Sequence, residues 1–381
     1  MKIVADIDIP FLKGVLEPFA EVVYLRGEEI RADDVRDADA LLVRTRTRCD
    51  AALLSGSRVR MVGTTTIGFD HIDMSWCAAH GVEVATAAGC NARAVLQWVS
   101  AALAWMASAP TAGLAHPVGL ARMAPERGLN PCETTLGVVG VGNVGSLVAR
   151  YAASWGFRVM CSDPPRERAE GFGEEDGFYS LDALAAECDA ITFHVPLVSH
   201  GPDATEGLVG REFLASMRPG AVILNSSRGA VIEPEALREA VGSGNQKFIL
   251  DVWNDEPRID RTVLERTLIA TPHIAGYSTE GKATATAMVV NALAREFGLS
   301  LPPAGSDNSN RAGLDDWYPS GVPKSIPREI SWSEMCARMP LYFDIDAESA
   351  LLKSAPEQPD KSLSEQFEQM RDNYIYRTEF F

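Results

Sequence analysis

The stretch Leu136-Gly137-Val138-Val139-Gly140-Val141-Gly142-Asn143-Val144-Gly145 constrains this chain more than any other, because an unbroken apolar run passes directly into G-x-G-x-x-G. Such a run reads as a strand buried on both faces, and the glycines open a helix expected over Val144 to Trp155. Phe157 to Ser162 reads as a second strand, which completes a β-α-β unit. Gly140 permits the tight turn and Gly142 admits a pyrophosphate close to the backbone. Gly145 lets the helix press on the strand, while the helix N-terminus, with Asn143 and Val144, faces the anion. Asp163 stands eighteen residues beyond Gly145 at the end of the second strand, where a carboxylate accepts hydrogen bonds from ribose hydroxyls and repels a 2′-phosphate. NAD is therefore the expected cofactor rather than NADP, although Arg166 nearby offsets part of that repulsion.

Further apolar runs at Ala190 to His194, Ala221 to Asn225, Phe248 to Val252 and Leu268 to Ala270, separated by helical stretches, imply a mainly parallel, doubly wound sheet from about 132 to 275. The first ninety residues carry short β-rich runs at Lys2 to Asp6, Val22 to Leu25, Ala40 to Arg44, Arg60 to Gly63 and Val82 to Ala85, a second open α/β unit. An apolar helix from Asn91 to before Pro110 is expected to connect the two, and residues 109 to 131 read as a surface insertion. A helix from Ser278 to about Phe297 is expected to pack back on the first unit. Residues 298 to 327 read as a linker, after which Leu341 to Ile345 looks like a strand and Ser364 to Tyr374 like a helix.

At 381 residues the chain has room for two or three compact units. Its formal charge of −17 argues against broad attraction to nucleic acid or to an anionic membrane, so an anionic ligand needs local arginines. Seven scattered cysteines without a C-x-x-C pair, and six dispersed histidines without an i, i+4 pair, exclude a recognisable metal cluster. The cysteine usage and the lack of a long apolar start point to a reduced, cytoplasmic compartment.

Three strand ends supply chemistry. Asn225-Ser226-Ser227-Arg228-Gly229 places a guanidinium at the carboxyl edge of the sheet, able to clamp a carboxylate in bidentate fashion. The next strand leads into Asp251-Val252-Trp253-Asn254-Asp255-Glu256, and the one after into Thr271-Pro272-His273-Ile274-Ala275-Gly276. His273 suits proton exchange near neutrality, and Glu256 bonded to its other ring nitrogen would fix the tautomer. Each of the three alone reads equally well as an ordinary surface charge or a satisfied side chain; together after successive strands they read as one catalytic set. His71 is a rival base that reads better as structural, and His194 is assigned no chemistry.

These segments together resemble the D-isomer-specific 2-hydroxyacid dehydrogenases, over roughly residues 1 to 298. Leu42 to Thr45, Val62 to His71, Ala88 to Ala92, Asp163 to Arg166 and His273 to Tyr277 point to those members that oxidise 4-phospho-D-erythronate on the route to pyridoxal phosphate, as does the tail Phe367 to Tyr374. The resemblance implies a Rossmann-type NAD-binding domain over 93–277, a discontinuous flavodoxin-like substrate domain over 1–92 and 278–298, and a linker with a small α+β dimerisation unit over 299–381. It implies that Arg228, Glu256 and His273 are catalytic and that Thr45, Thr66 and Tyr277 contact substrate. Val195, Ser226, Ser227, Arg228, Asp163, Asp251 and Gly276 would contact the NAD, with Val195 standing where a threonine is usual and Thr45 where serine is usual. The phosphate of such a substrate needs positive charge, for which Arg44 and Arg46 are candidates; solvated surface charges are the equal alternative. A homodimer is implied. Activity on 3-phosphoglycerate or hydroxypyruvate, or NAD-sensing without catalysis, stays open as an alternative.

Overall fold

The computed structural model describes residues 1–108, 129–302, 316–324, 327–355 and 360–381, with the side chains of 360–362 set aside. Most of the expected insertion at 109–131, and residues 303–315 and 325–326 of the expected linker, lie outside the described residues. The chain divides into two compact units: Met1–Asn91 with Ser278–Ser325, and Ala92–Tyr277 with Ile326–Phe381.

In the first unit, β1 (Lys2–Asp6), β2 (Glu21–Leu25), β3 (Ala40–Val43), β4 (Met61–Thr64) and β5 (Glu83–Thr86) form a parallel sheet in the order β2-β1-β3-β4-β5. That order belongs to the flavodoxin-like doubly wound sheets. Every residue of β3 and β4 is buried, as a central parallel strand covered on both faces requires. The helix Thr279–Phe297 packs on this sheet; Ser278 caps it by accepting a hydrogen bond from Gly281 N–H, and Gly298 ends it at φ 65°. A Cβ on Gly63 would lie 2.5 Å from Val289 Cγ1, so the glycine in β4 is what lets the helix approach.

In the second unit, β6 (Thr135–Val139), β7 (Arg158–Ser162), β8 (Ala190–Phe193), β9 (Val222–Asn225), β10 (Lys247–Leu250) and β11 (Ile269–Ala270) form a parallel sheet in the order β11-β10-β9-β8-β6-β7. A parallel bridge from Cys161 to Phe178 extends the β7 edge, a rudiment of the outermost strand of the Rossmann arrangement. The chain reverses direction across the sheet between β6 and β8, which makes their carboxyl ends the topological switch point. The helix Ala92–Ala107, which follows directly on the unit boundary at Asn91, has thirteen of its sixteen residues buried and is a core helix of this unit.

Leu341 to Ile345 is not a strand. The residues fall at the end of the helix Trp332–Tyr342 and the start of the helix Ile345–Lys353. The period-two appearance of Leu341, Phe343 and Ile345 misleads, because Leu341 is 83% exposed whereas Phe343 and Ile345 are buried. The operative signals are helical: Met335 and Met339, four apart, are both fully buried, Ser331 caps the first helix and Asp344 the second. The helix expected at Ser364 to Tyr374 runs over Asp360–Asp372. Among the described residues, no helix is long and apolar enough to cross a membrane.

Candidate active site

The glycine loop after β6 is built as its chemistry demands. Gly140 adopts φ +83°, and a Cβ there would lie 2.7 Å from the His194 carbonyl oxygen and 2.8 Å from Val195 Cγ1. The turn thus presses on the end of β8, with Val195 at the switch point. A Cβ on Gly145 would sit 1.9 Å from the Gly140 carbonyl oxygen, so only glycine lets the helix Asn143–Ser154 start this close to the strand. At Gly142 an added Cβ meets nothing within 4 Å, and Gly142 and Asn143 are exposed. The first turn of that helix, with Asn143 and Val144, is therefore open to a ligand, and its leading N–H groups have no partner within the helix.

Asp163 organises the adjacent turn. Its Oδ2 accepts from Val141 N–H at 2.8 Å and its Oδ1 from Arg166 N–H at 3.1 Å, which starts the helix Pro164–Glu170. The Arg166 guanidinium donates to the Val141 carbonyl at 2.8 Å and pairs with Glu170 at 2.6 Å. Its partners are thus the glycine loop and Glu170, while Asp163 supplies the carboxylate at the end of β7.

The ends of β9, β10 and β11 bring the remaining groups to one edge. Asn225 Oδ1 accepts from both N–H and Oγ–H of Ser227, at 3.0 and 2.8 Å, and its amide donates to the Arg228 carbonyl at 2.9 Å, so the loop carrying Arg228 is braced by the last residue of its strand. A Cβ on Gly229 would fall 2.0 Å from the Trp253 carbonyl oxygen, so this glycine lets the loops after β9 and β10 touch. Ser226 Oγ is buried without a hydrogen-bond partner, a hydroxyl that a bound nucleotide would satisfy. With the open first turn, it is where the residues present fit a dinucleotide.

His273 Nδ1 and Glu256 Oε2 are 2.8 Å apart, and Glu256 Oε1 accepts from Trp253 N–H at 2.9 Å. The His273 side chain is 35% exposed, which keeps its other ring nitrogen within reach of a ligand. Its backbone is left-handed at φ +57°, uncommon for a residue other than glycine. Asp251, almost fully buried, shapes this loop: it accepts from Thr271 Oγ at 2.6 Å, from Ile274 N–H at 2.8 Å and from Ala275 N–H at 3.0 Å. Trp98 and Trp253 hold Thr271 through their indole N–H groups, at 2.9 and 3.0 Å. Gly276 lies in the following turn, closed by Tyr277 N–H on the Ile274 carbonyl at 2.9 Å.

The electrostatics follow from these contacts. Burial works to raise the Glu256 carboxyl, but the His273 ring, its hydrogen bond, the Trp253 N–H and the Arg371 charge together bring it below the usual glutamate value. Burial raises Asp251 despite His273 and its hydrogen bonds. His194 is pushed down to about 3 by burial, with Thr192 Oγ1 3.0 Å from its Nε2, and His71 is lowered for the same reason. Both therefore stand as neutral rings at physiological pH.

Arg44, Thr45 and Thr66 belong to the first unit. Arg44 follows β3 and donates to the Asp8 carbonyl at 3.1 Å, Arg46 pairs with Glu28 at 3.8 Å, and Thr45 is exposed between them. Thr66 Oγ1 lies 2.6 Å from Thr64 Oγ1 and donates to the Gly68 carbonyl, while His71 Nε2 sits 3.2 Å from Thr64. Tyr277 belongs to the second unit, with the rings of Tyr374 and Tyr376 edge-on at 5.9 and 6.0 Å, and bonds to Arg371. Sequence reasoning missed Trp98, Thr271, Arg371, Arg377 and Thr65, whose buried Oγ1 lacks a partner. Thr271, directly before Pro272-His273, carried the one usable signal.

Residues 119–275 match the model of the D-isomer specific 2-hydroxyacid dehydrogenase NAD binding domain. An erythronate-4-phosphate dehydrogenase of Bacteroides fragilis is 40% identical over 381 residues, covering 100% of this chain and 97% of the relative. That of Bacteroides thetaiotaomicron is 44% identical over 80% of this chain and 84% of its own, and that of Pseudomonas putida 35% identical over 100% and 93%. Among solved structures, the TT0316 protein of Thermus thermophilus superposes with a TM-score of 0.63 at 28% identity, covering 79% of this chain and 99% of its own. The NAD+-bound 3-phosphoglycerate dehydrogenase of Entamoeba histolytica has the same TM-score at 23% identity over 78% and 95%, a likeness of fold. Full-length identity at that level, on a strand-edge Arg-Glu-His set beside the glycine loop, means that the chain belongs to the erythronate-4-phosphate dehydrogenases within the D-isomer specific 2-hydroxyacid dehydrogenase family.

Proposed function

We propose that the protein oxidises 4-phospho-D-erythronate at C2, with NAD, to 3-hydroxy-2-oxo-4-phosphooxybutanoate. The observation that carries the reading is the 2.8 Å contact between His273 Nδ1 and Glu256 on the edge that also bears Arg228. With Nδ1–H donating to the carboxylate, Nε2 is left to take the C2 hydroxyl proton, and Glu256 stabilises the imidazolium that results. Arg228 anchors the substrate carboxylate and polarises the emerging keto oxygen. A bound nicotinamide supplies the hydride acceptor. Gly140, Gly142, Asn143, Val144 and Gly145 would hold its pyrophosphate and Asp163 the adenosine ribose, with Val195, Ser226, Ser227, Asp251 and Gly276 lining the nicotinamide end. Thr45, Thr66 and Tyr277 would orient the substrate, and Arg44 would meet its phosphate.

The protein would act in the cytoplasm as a homodimer through residues 299–381, a reading supported by the exposure of Leu341, Leu351 and Ile375. The test is a panel of 2-hydroxy and 2-oxo acids assayed with NAD and NADP. Erythronate 4-phosphate with NAD should have the highest kcat/KM. Preference for 3-phosphoglycerate or hydroxypyruvate would overturn the substrate, and preference for NADP the cofactor. NAD binding without turnover of any acid would favour a sensor.

A further inference from the structure

We infer that Arg377, far along the chain from the Arg-Glu-His set, is a positioning residue that holds His273 in its working orientation by gripping the carbonyls of the two residues that follow it. The inference rests on the proton-transfer role proposed for His273. Arg377 Nη1 donates to the Ile274 carbonyl at 2.9 Å and Nη2 to that of Ala275, while Nη2 also reaches the Ala94 carbonyl at 3.0 Å. The same two peptide units present their N–H groups to Asp251, Ile274 at 2.8 Å and Ala275 at 3.0 Å. Residues 274 and 275 are thus held between a carboxylate that takes both N–H groups and a guanidinium that takes both carbonyls. They are irregular backbone, buried, and outside any strand or helix; apart from the turn bond of Tyr277 N–H on the Ile274 carbonyl, two charged side chains do what a ladder would do elsewhere.

The geometry matters for His273 because its own φ of +57° is a conformation that the surroundings must maintain. His273 N–H donates to the Asp251 carbonyl at 2.8 Å, which fixes the loop before the ring, and Arg377 fixes it after. The cost is visible: Arg377 is 7% exposed, its Nε is buried without a partner, and its assigned hydrogen bonds go to three carbonyls and the Tyr374 hydroxyl. A guanidinium buried among carbonyls is expensive to desolvate, and its hydrogen bonds to these carbonyls offset that cost, which an apolar side chain in its place would not do. Its anchorage is firm, with the plane 4.3 Å from the Phe343 ring centroid and Phe380 and Phe381 fully buried just beyond. Arg377 touches neither substrate nor cofactor in this account; it acts through the loop.

A double-mutant cycle on the full-length enzyme tests this, measuring kcat, KM for erythronate 4-phosphate and NADH affinity by nicotinamide fluorescence. Arg377→Met should lower kcat by about 10- to 100-fold, the order expected for a catalytic group displaced by roughly 1 Å, with KM and NADH affinity within about 3-fold. Arg377→Lys, which keeps a cation able to reach the carbonyls, should recover part of the loss. In the His273→Ala background, Arg377→Met should cost less than about 3-fold, because there is no longer a ring to misplace. Equal losses in both backgrounds, or wild-type kcat in a folded Arg377→Met enzyme, would overturn the positioning role. Should the Met variant not fold, Arg377→Lys with and without His273→Ala gives the same comparison. Wild-type turnover by His273→Ala alone would instead overturn the proposed chemistry and this inference with it.

Discussion

The carboxyl edges of the two sheets look alike in topology and differ in how they are braced. In the first unit, Thr66 bonds to Thr64 and Gly68, two residues away in either direction, and Arg44, half-buried, donates to the Asp8 carbonyl 36 residues away. In the second, Asp251 reaches the loop after β11, Glu256 meets His273 seventeen residues on, Trp98 holds Thr271 across 173 residues, and Arg377 returns across 103 to Ile274. These first-unit residues have one or two such bonds each, whereas the second edge is cross-braced by side chains from several segments of its unit. With the roles proposed above, the lesson would be a division of labour: the groups assigned to the transition state are the over-determined ones, and those assigned to the charged end of the substrate have fewer braces.

Mutations should sort accordingly, into kcat effects at the braced edge and KM effects at the other. His273→Ala should lower kcat by about 100- to 10,000-fold with NAD affinity retained, the usual worth of a general base; steady-state assay with a parallel binding titration checks it, and a pure KM effect would break the comparison. Glu256→Gln should cost about 10- to 1,000-fold in kcat. It also carries a pH signature. Because the Glu256 carboxyl lies below its usual value in the folded protein, its ionised form stabilises the fold above the ordinary glutamate pKa, and that contribution is lost as pH falls through the lowered value. The melting-temperature gap between wild type and Glu256→Gln should therefore narrow in thermal scans taken downward from about pH 4.5, the ordinary glutamate range; a gap that widens over that range would contradict the assignment.

At the first unit's edge the effects are smaller. Arg44→Ala should raise KM for the phosphorylated acid by about 10- to 100-fold with kcat nearly unchanged, the worth of one or two charge-assisted bonds. An unchanged KM would remove Arg44 from the phosphate site, and a dominant kcat loss would mean this edge is as exacting as the other. Thr66→Val, which deletes one hydroxyl from a short chain of bonds, should raise KM by about 3- to 10-fold, measurable in the same assay.

Much of this was legible beforehand for a simple reason: buried parallel strands are continuous apolar runs, and the residues just past them are where such sheets act. The places of Arg228, Glu256 and His273 after successive strands were readable from the apolar runs before them, and the glycine loop from the steric demands that the close contacts at Gly140 and Gly145 display. Leu341 to Ile345 failed because residues at a helix–helix junction imitate strand alternation, and only the burial of Met335 and Met339 reveals the helical face. The part of Asp251 in shaping the His273 loop had no local signal either, since an aspartate after a strand looks the same whether it faces a ligand or its own backbone.

The sequence by itself determined the two parallel sheets, the nucleotide loop and the three chemical groups, because each rests on short-range patterns of burial, glycine sterics and strand ends. Only the tertiary structure decided which nitrogen of His273 meets Glu256, which loop Asp251 shapes and where Arg377 closes its grip. Those are contacts between segments up to 283 residues apart, and no local pattern encodes a distance that exists only once the chain has folded.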